Sequence, residues 1–229
     1  MAKDPDLDTG AATTRSLLGW GVVAGPFYVV FGLVLALTRP GFDLTRHALS
    51  LLTLGDLGWL QRTNLSLTGL MAIVAAIGIL RAIRNGRGLA MGVLTIVYGG
   101  GLILSAIFTP DPAGGFPPGS QGGQFTLSGT LHLLFGALGF VAIAVAAFAH
   151  ASWSRSVGNR PRAALSIVLG ILIIVGFAGG AALSANSAGV ALLWLAVLAQ
   201  FVWLALACSQ IYAWSPHPLR SKRTPAPQS

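Results

Sequence analysis

The chain has 229 residues, of which 54% are hydrophobic and only 9% charged, whereas a soluble domain carries roughly a quarter charged residues. That composition excludes an ordinary water-soluble globule. The net charge of +8 does not restore a nucleic-acid-binding reading, because Lys and Arg sit in short junctions between apolar runs, where they act as topological signals.

From the N-terminus, residues 1–16 are polar and read as an unstructured tail, as do residues 213–229, where Pro, Ser, Lys and Arg alternate without an apolar period. Between them, residues 17–212 carry apolar runs at 17–37, 65–83, 89–108, 126–149, 163–183 and 190–212. Each approaches the roughly 20 residues that a helix needs to cross the hydrocarbon of a bilayer. The first run is longer than a signal-peptide core and lacks a small-x-small cleavage site, so it counts as a span. The expected fold is all-α, a polytopic bundle of six transmembrane helices. A single cysteine, Cys208, lies in the last run; it excludes an internal disulfide and reads as a small packed residue.

Eleven cations share one side of this topology: Lys3, Arg15, Arg81, Arg84, Arg87, Arg155, Arg160, Arg162, Arg220, Lys222 and Arg223. The positive-inside rule makes that side cytoplasmic, with both termini on it, in a cell membrane. Arg39, Arg46 and Arg62 break the rule in the first outer segment. Asp43 and Asp56 partly neutralise them, and salt bridges are the expected reason that they are tolerated there.

That segment, residues 42–64 (FDLTRHALSLLTLGDLGWLQRTN), concentrates the polar groups that the spans exclude. Asp43 is expected to cap a short amphipathic helix with Arg46, His47 and Ser50 on one side, too short to cross a bilayer. Asp56 to Trp59 reads as a turn, with Trp59 at the headgroup level. Glycines at packing spacing, Gly21 with Gly25 and Gly176 with Gly180, predict close helix contacts, and Gly99, Gly100 and Gly101 a bare side on the third span.

Within the spans there is no mid-membrane charge of the kind that ion-coupled carriers keep. Gln200 is the deepest strongly polar side chain and is expected to hydrogen-bond between helices. At the outer side, Asp111 follows the third span in FTPDP, and His132 lies one to two turns into the fourth, on a face with Gly136 and Gly139 that should turn inward. Asp111 between two prolines is expected to form a turn. His150 and His217 read as cytoplasmic loop residues. The spacings match no zinc signature such as H-E-x-x-H, so no metal ligands are assigned, and the sequence names no cofactor.

The order of these motifs resembles the DUF 998 family of small six-span prokaryotic membrane proteins. Arg46, His47, Leu49 and Ser50 fit the family's R-H-x-[IL]-S-x-L pattern. Trp59 and Asn64 fit the residues that follow it, and Pro110, Asp111, Leu131 and His132 fit the later P-D and L-H pairs. The resemblance spans residues 17–212 and implies a six-span membrane protein without implying an activity.

From the residues, the first expectation is an outer-leaflet pocket for a membrane lipid or lipid-linked small molecule, formed by Arg46, His47, Ser50, Arg62, Asn64, Asp111 and His132. The alternative is a membrane-embedded hydrolase or transferase acting on an amphipathic substrate through the same outer groups, with or without a divalent metal; a metal would need His47, Asp111 and His132 at one point.

Overall fold

The structure, a computed structural model, describes residues 6–120, 122–184 and 186–223. Six helices fill it: α1 (Thr9–Thr38), α2 (Gly58–Ala82), α3 (Gly86–Ile107), α4 (Leu127–Ser156), α5 (Arg160–Ala182) and α6 (Ser187–Trp214). All six are long and apolar enough to cross a membrane. Each packs on its neighbours in sequence, and α6 closes the ring against α1. With successive helices antiparallel, both chain ends come to one end of the bundle, here the terminus end; the other is the loop end.

Polar caps, rather than the limits of the apolar runs, set the helix starts. Asp8 accepts the Ala11 amide at the head of α1, and Asn85, Thr126, Asn159 and Asn186 do the same for α3, α4, α5 and α6. Such side chains satisfy amides that a helix start leaves unpaired. Hence α1 starts at Thr9 rather than residue 17, and α4 runs to Ser156 rather than stopping at 149.

The tails are corrected in the same way where they are described. The Asp8 amide donates to the Pro218 carbonyl (2.8 Å), the Arg220 amide to the Asp6 carbonyl (3.0 Å), and Arg223 pairs with Asp8 at 2.7 Å. A short clasp thus joins the two ends of the chain. The first five and last six residues of the expected tails lie outside the described residues.

Apolar side chains such as Val30, Leu133 and Val168 face outward, as a lipid-facing surface requires. Inward, small residues let backbones meet. A Cβ at Gly99 would lie 2.5 Å from the Gly69 carbonyl of α2, and one at Gly101 would lie 2.8 Å from the Phe135 carbonyl of α4. Gly100 meets nothing. Gly99 and Gly101 therefore serve two different helix contacts, and the three glycines do not form one bare side. Gly21 and Gly25 pack on Cys208 and Phe201 of α6, and Gly176 packs on Leu192 and Ala196.

Candidate functional site at the loop end

Segment 42–64 does not form the expected amphipathic helix. Asp43 instead accepts the Thr45 amide (2.8 Å) and hydroxyl (2.7 Å) in a tight Asx turn, a local bond that competes with helix formation. Those hydrogen bonds, followed by the nearby His47 and Arg46, hold its carboxyl below the ordinary value. The backbone is extended at Ala48 and then forms a 3-10 helix, Leu49–Thr53, whose Leu49, Leu51 and Leu52 are buried in the core of the bundle. The segment therefore folds down onto α1 and α2. Arg46 stays exposed, Ser50 is half-buried and His47 is buried, so the three do not share a face.

His47 joins this cap to the junction between α3 and α4. Its Nδ1 accepts the Asp43 amide (2.9 Å), which leaves the proton on Nε2 to be donated to the Gly114 carbonyl (3.0 Å). Phe42 and Phe116 hold the ring, with centroids 5.2 and 5.5 Å away, and their own rings meet edge to face at 5.2 Å. Gly41 has φ +77, and a Cβ there would lie 2.6 Å from Pro118. Only glycine suits that conformation and that contact.

The three loop-end arginines form no salt-bridge network. Among the described residues the ion pair within 4 Å is Asp8–Arg223, at the opposite end. Arg39 donates to the Leu54 carbonyl and lies over the Phe116 ring, 5.9 Å from its centroid. Burial lowers its pKa and Asp56 opposes that shift. Arg62 donates to the Thr53 carbonyl (3.2 Å). In sequence, this end holds three cations and three aspartates, so the whole net charge of +8 resides at the terminus end.

Asp111 is more than a turn former. Its carboxylate accepts the Thr126 amide (3.1 Å) and hydroxyl (2.6 Å), and a Cβ at Gly129 would lie 2.1 Å from Oδ2. It therefore sits against the first turn of α4, where a negative charge is favourable. His132 is buried as expected, and its Nδ1 proton is shared between the carbonyls of Ser105 (3.0 Å) and Phe108 (2.9 Å) at the end of α3. Asp111 and His132 thus fasten α3 to α4, while His47 fastens the cap to the loop between them. No group of three His, Cys, Asp or Glu side chains gathers among the described residues, so the donor set that the metal-dependent alternative requires is not assembled.

Beneath the cap lies a polar cluster that the sequence reading caught only at Asn64. The Asn64 amide donates to the Tyr28 carbonyl (3.2 Å) and to Gln61 Oε1 (3.1 Å), and its Oδ1 accepts Thr68 at 3.5 Å. The Tyr28 hydroxyl lies near Gln61 without forming a well-directed hydrogen bond to its Nε2. Tyr28 and Tyr98 flank the Phe201 ring of α6, with centroids at 5.0 and 6.5 Å. Gln61 Nε2, the Tyr98 hydroxyl and Gln200 Oε1 are buried without a protein partner. Gln200 therefore does not complete the expected bond between helices. Gln61 and Asn64 stand three residues apart on one face of α2, a signal that was legible in the sequence.

A second polar cluster, near the terminus end, corrects the reading of His150 as a loop residue. Because α4 continues to Ser156, His150 is buried in that helix. Its Nδ1 is 2.7 Å from the Ser166 hydroxyl of α5, and Ser154 bonds Gln210 of α6 at 3.2 Å.

Six apolar helices in a closed ring, with polar groups held at the ends and inside, define a multi-pass integral membrane protein. A family model described as "Protein of unknown function (DUF998)" matches residues 22–210, and the chain belongs to that family. No curated protein and no solved structure matches it.

Proposed function

We propose that this membrane protein binds an amphipathic ligand, a lipid or lipid-linked molecule, whose polar part enters beneath the cap of segment 42–64. The observation that carries this reading is that, among the described residues, Gln61 Nε2, the Tyr98 hydroxyl and Gln200 Oε1, on three helices, are buried without a partner, as are Ser105 Oγ and Trp203 Nε1 on two of them. Leaving such a group unpaired costs about 1–3 kcal/mol, and in a membrane interior only protein, bound water or a ligand can supply the missing bond. A ligand hydroxyl or amide fits this mixture of donors and an acceptor.

Exposed Arg46 and Arg62 would meet an anionic group at the rim, with Asn64 beside Gln61 inside. Ser50, half-buried on the cap, would line the entry. His47, Asp111 and His132 would act by holding the loops and helices that frame it. The charge imbalance between the ends supports a cytoplasmic terminus end in the cell membrane, and with that orientation the site would belong to the outer leaflet.

Native mass spectrometry of the purified full chain tests the reading. Wild-type protein is expected to retain an amphipathic molecule that Tyr98→Phe and Arg46→Ala release, with helicity unchanged by circular dichroism. An identical lipid complement in all three proteins refutes it.

A further inference from the structure

At the terminus end a cleft of about 600 Å³ opens between α3, α4 and α5, lined by Arg87, Ser152, Arg155, Ser156, Phe148 and Ile167 among others. Ser152, Arg155 and Ser156 stand three and four residues apart, so one face of α4 presents two hydroxyls and a guanidinium. Arg87 crosses from α3 and donates through Nε to the Ser152 hydroxyl (3.0 Å), which fixes the guanidinium while its terminal nitrogens remain uncommitted. The Arg155 guanidinium makes no hydrogen bond within the described residues; its carbonyl accepts the Gly158 amide (3.1 Å) at the end of α4. Phe148 packs against α5, where a Cβ at Gly170 would lie 2.9 Å from its ring, and it forms an apolar wall with Ile167.

We propose that this cleft is a binding site for the phosphate of an anionic phospholipid. Arginine guanidinium groups match phosphate oxygens in planar pairs, and hydroxyls add donors beside them. A free phosphate would use the polar rim and leave the apolar wall idle, whereas a phospholipid uses both. The cleft lies where helix ends emerge from the hydrocarbon, at the end that carries the whole net charge of +8. Basic pockets between helices at that level suit anionic head groups. Arg155 also opposes the dipole at the end of α4, but that role does not require the cleft, the two serines or Arg87. The site lies at the opposite end of the bundle from the ligand site proposed above and stands independently of it.

The test is a lipid titration of the full chain in detergent, read by native mass spectrometry with phosphatidylglycerol and phosphatidylcholine. Arg155→Gln is expected to weaken phosphatidylglycerol binding about fivefold and Arg87→Gln with Arg155→Gln about thirtyfold, from about 1 kcal/mol for each guanidinium hydrogen bond to the phosphate that is lost. Phosphatidylcholine binding should change little. A control pair outside the cleft, Arg160→Gln with Arg220→Gln, should have a small effect. Because the Arg155 guanidinium has no internal bond to lose, its single variant remains informative even if the double variant folds poorly. Equal losses in the control pair, or none in Arg155→Gln, overturn the site. Displacement of the lipid by millimolar inorganic phosphate overturns the lipid assignment in favour of the bare anion.

Discussion

Replacing His47 should release both loops of the cap at once. In His47→Ala the Asp43 amide and the Gly114 carbonyl lose their partners, each bond being worth about 0.5–1.5 kcal/mol net. The two ring contacts, to Phe42 and Phe116, add about 0.5–1.5 kcal/mol apiece. Allowing for partial relaxation, the closed cap should weaken by about 3 kcal/mol, which is roughly a 150-fold rise in its opening equilibrium at 1.4 kcal/mol per decade. Hydrogen exchange by mass spectrometry reads this directly. Peptides covering the amides of Arg46, Leu51 and Leu54 on one loop, and of Phe116 and Ser120 on the other, should exchange faster together, while peptides within the spans stay protected. His47→Gln should fall between, since its amide nitrogen can still reach the Gly114 carbonyl. If one loop opens without the other, His47 is not what joins them.

Three further outcomes are expected from the geometry. Gly99→Ala places a Cβ 2.5 Å from the Gly69 carbonyl, so thermal unfolding should show a loss of about 1–3 kcal/mol, while Gly100→Ala, which meets nothing within 4 Å, should be silent. Asp111→Ala removes an anion and an acceptor from the first turn of α4 and should cost about 1 kcal/mol, visible as faster exchange at Gly129 and Thr130. The hydrogen bond from Arg223, and then the Ala11 amide, hold the Asp8 carboxyl at about 2. Its folded-state pKa is depressed, so the terminal clasp is at full strength above the ordinary 3.8 and is lost as pH falls through about 2; Trp214 fluorescence should follow that window, and a transition at or above 3.8 would refute the pairing.

The spans were legible because twenty apolar residues in a row have few other uses, and the glycine pairs on α1 and α5 were legible by spacing alone. The helix ends were harder to read. Asp8 and Asn85 begin helices from polar surroundings, and hydropathy cannot see a hydrogen bond to an amide two or three residues on. In segment 42–64 periodicity misled: Arg46, His47 and Ser50 fit a helical face, yet the Thr45 bonds to Asp43 turn the chain first. The contact of His47 with Gly114 joins residues 67 apart in sequence, and no local pattern encodes such a distance. Tyr98 was invisible for another reason, since an aromatic residue in an apolar run reads as packing until its hydroxyl is found without a partner.

The positive-inside exception has a different physical answer from the ion pairs first expected. Thr53 and Leu54 end the 3-10 helix of the cap, where a helix leaves its last carbonyls without partners of its own. Arg62 from α2 takes one and Arg39 from α1 takes the other, so the helices on either side of the cap grip its C-terminal end, where cations are favoured. These two arginines are committed to closing the loop end and carry no topological instruction there, a use consistent with the balanced charge around them. Arg46 has no such side-chain bond among the described residues: it stays exposed on the same cap, near Asp43. Of the three exceptions, therefore, Arg46 is the one whose side chain holds no part of the cap, and a ligand anion arriving at the rim would meet it, and the terminal nitrogens of exposed Arg62, without first breaking the cap.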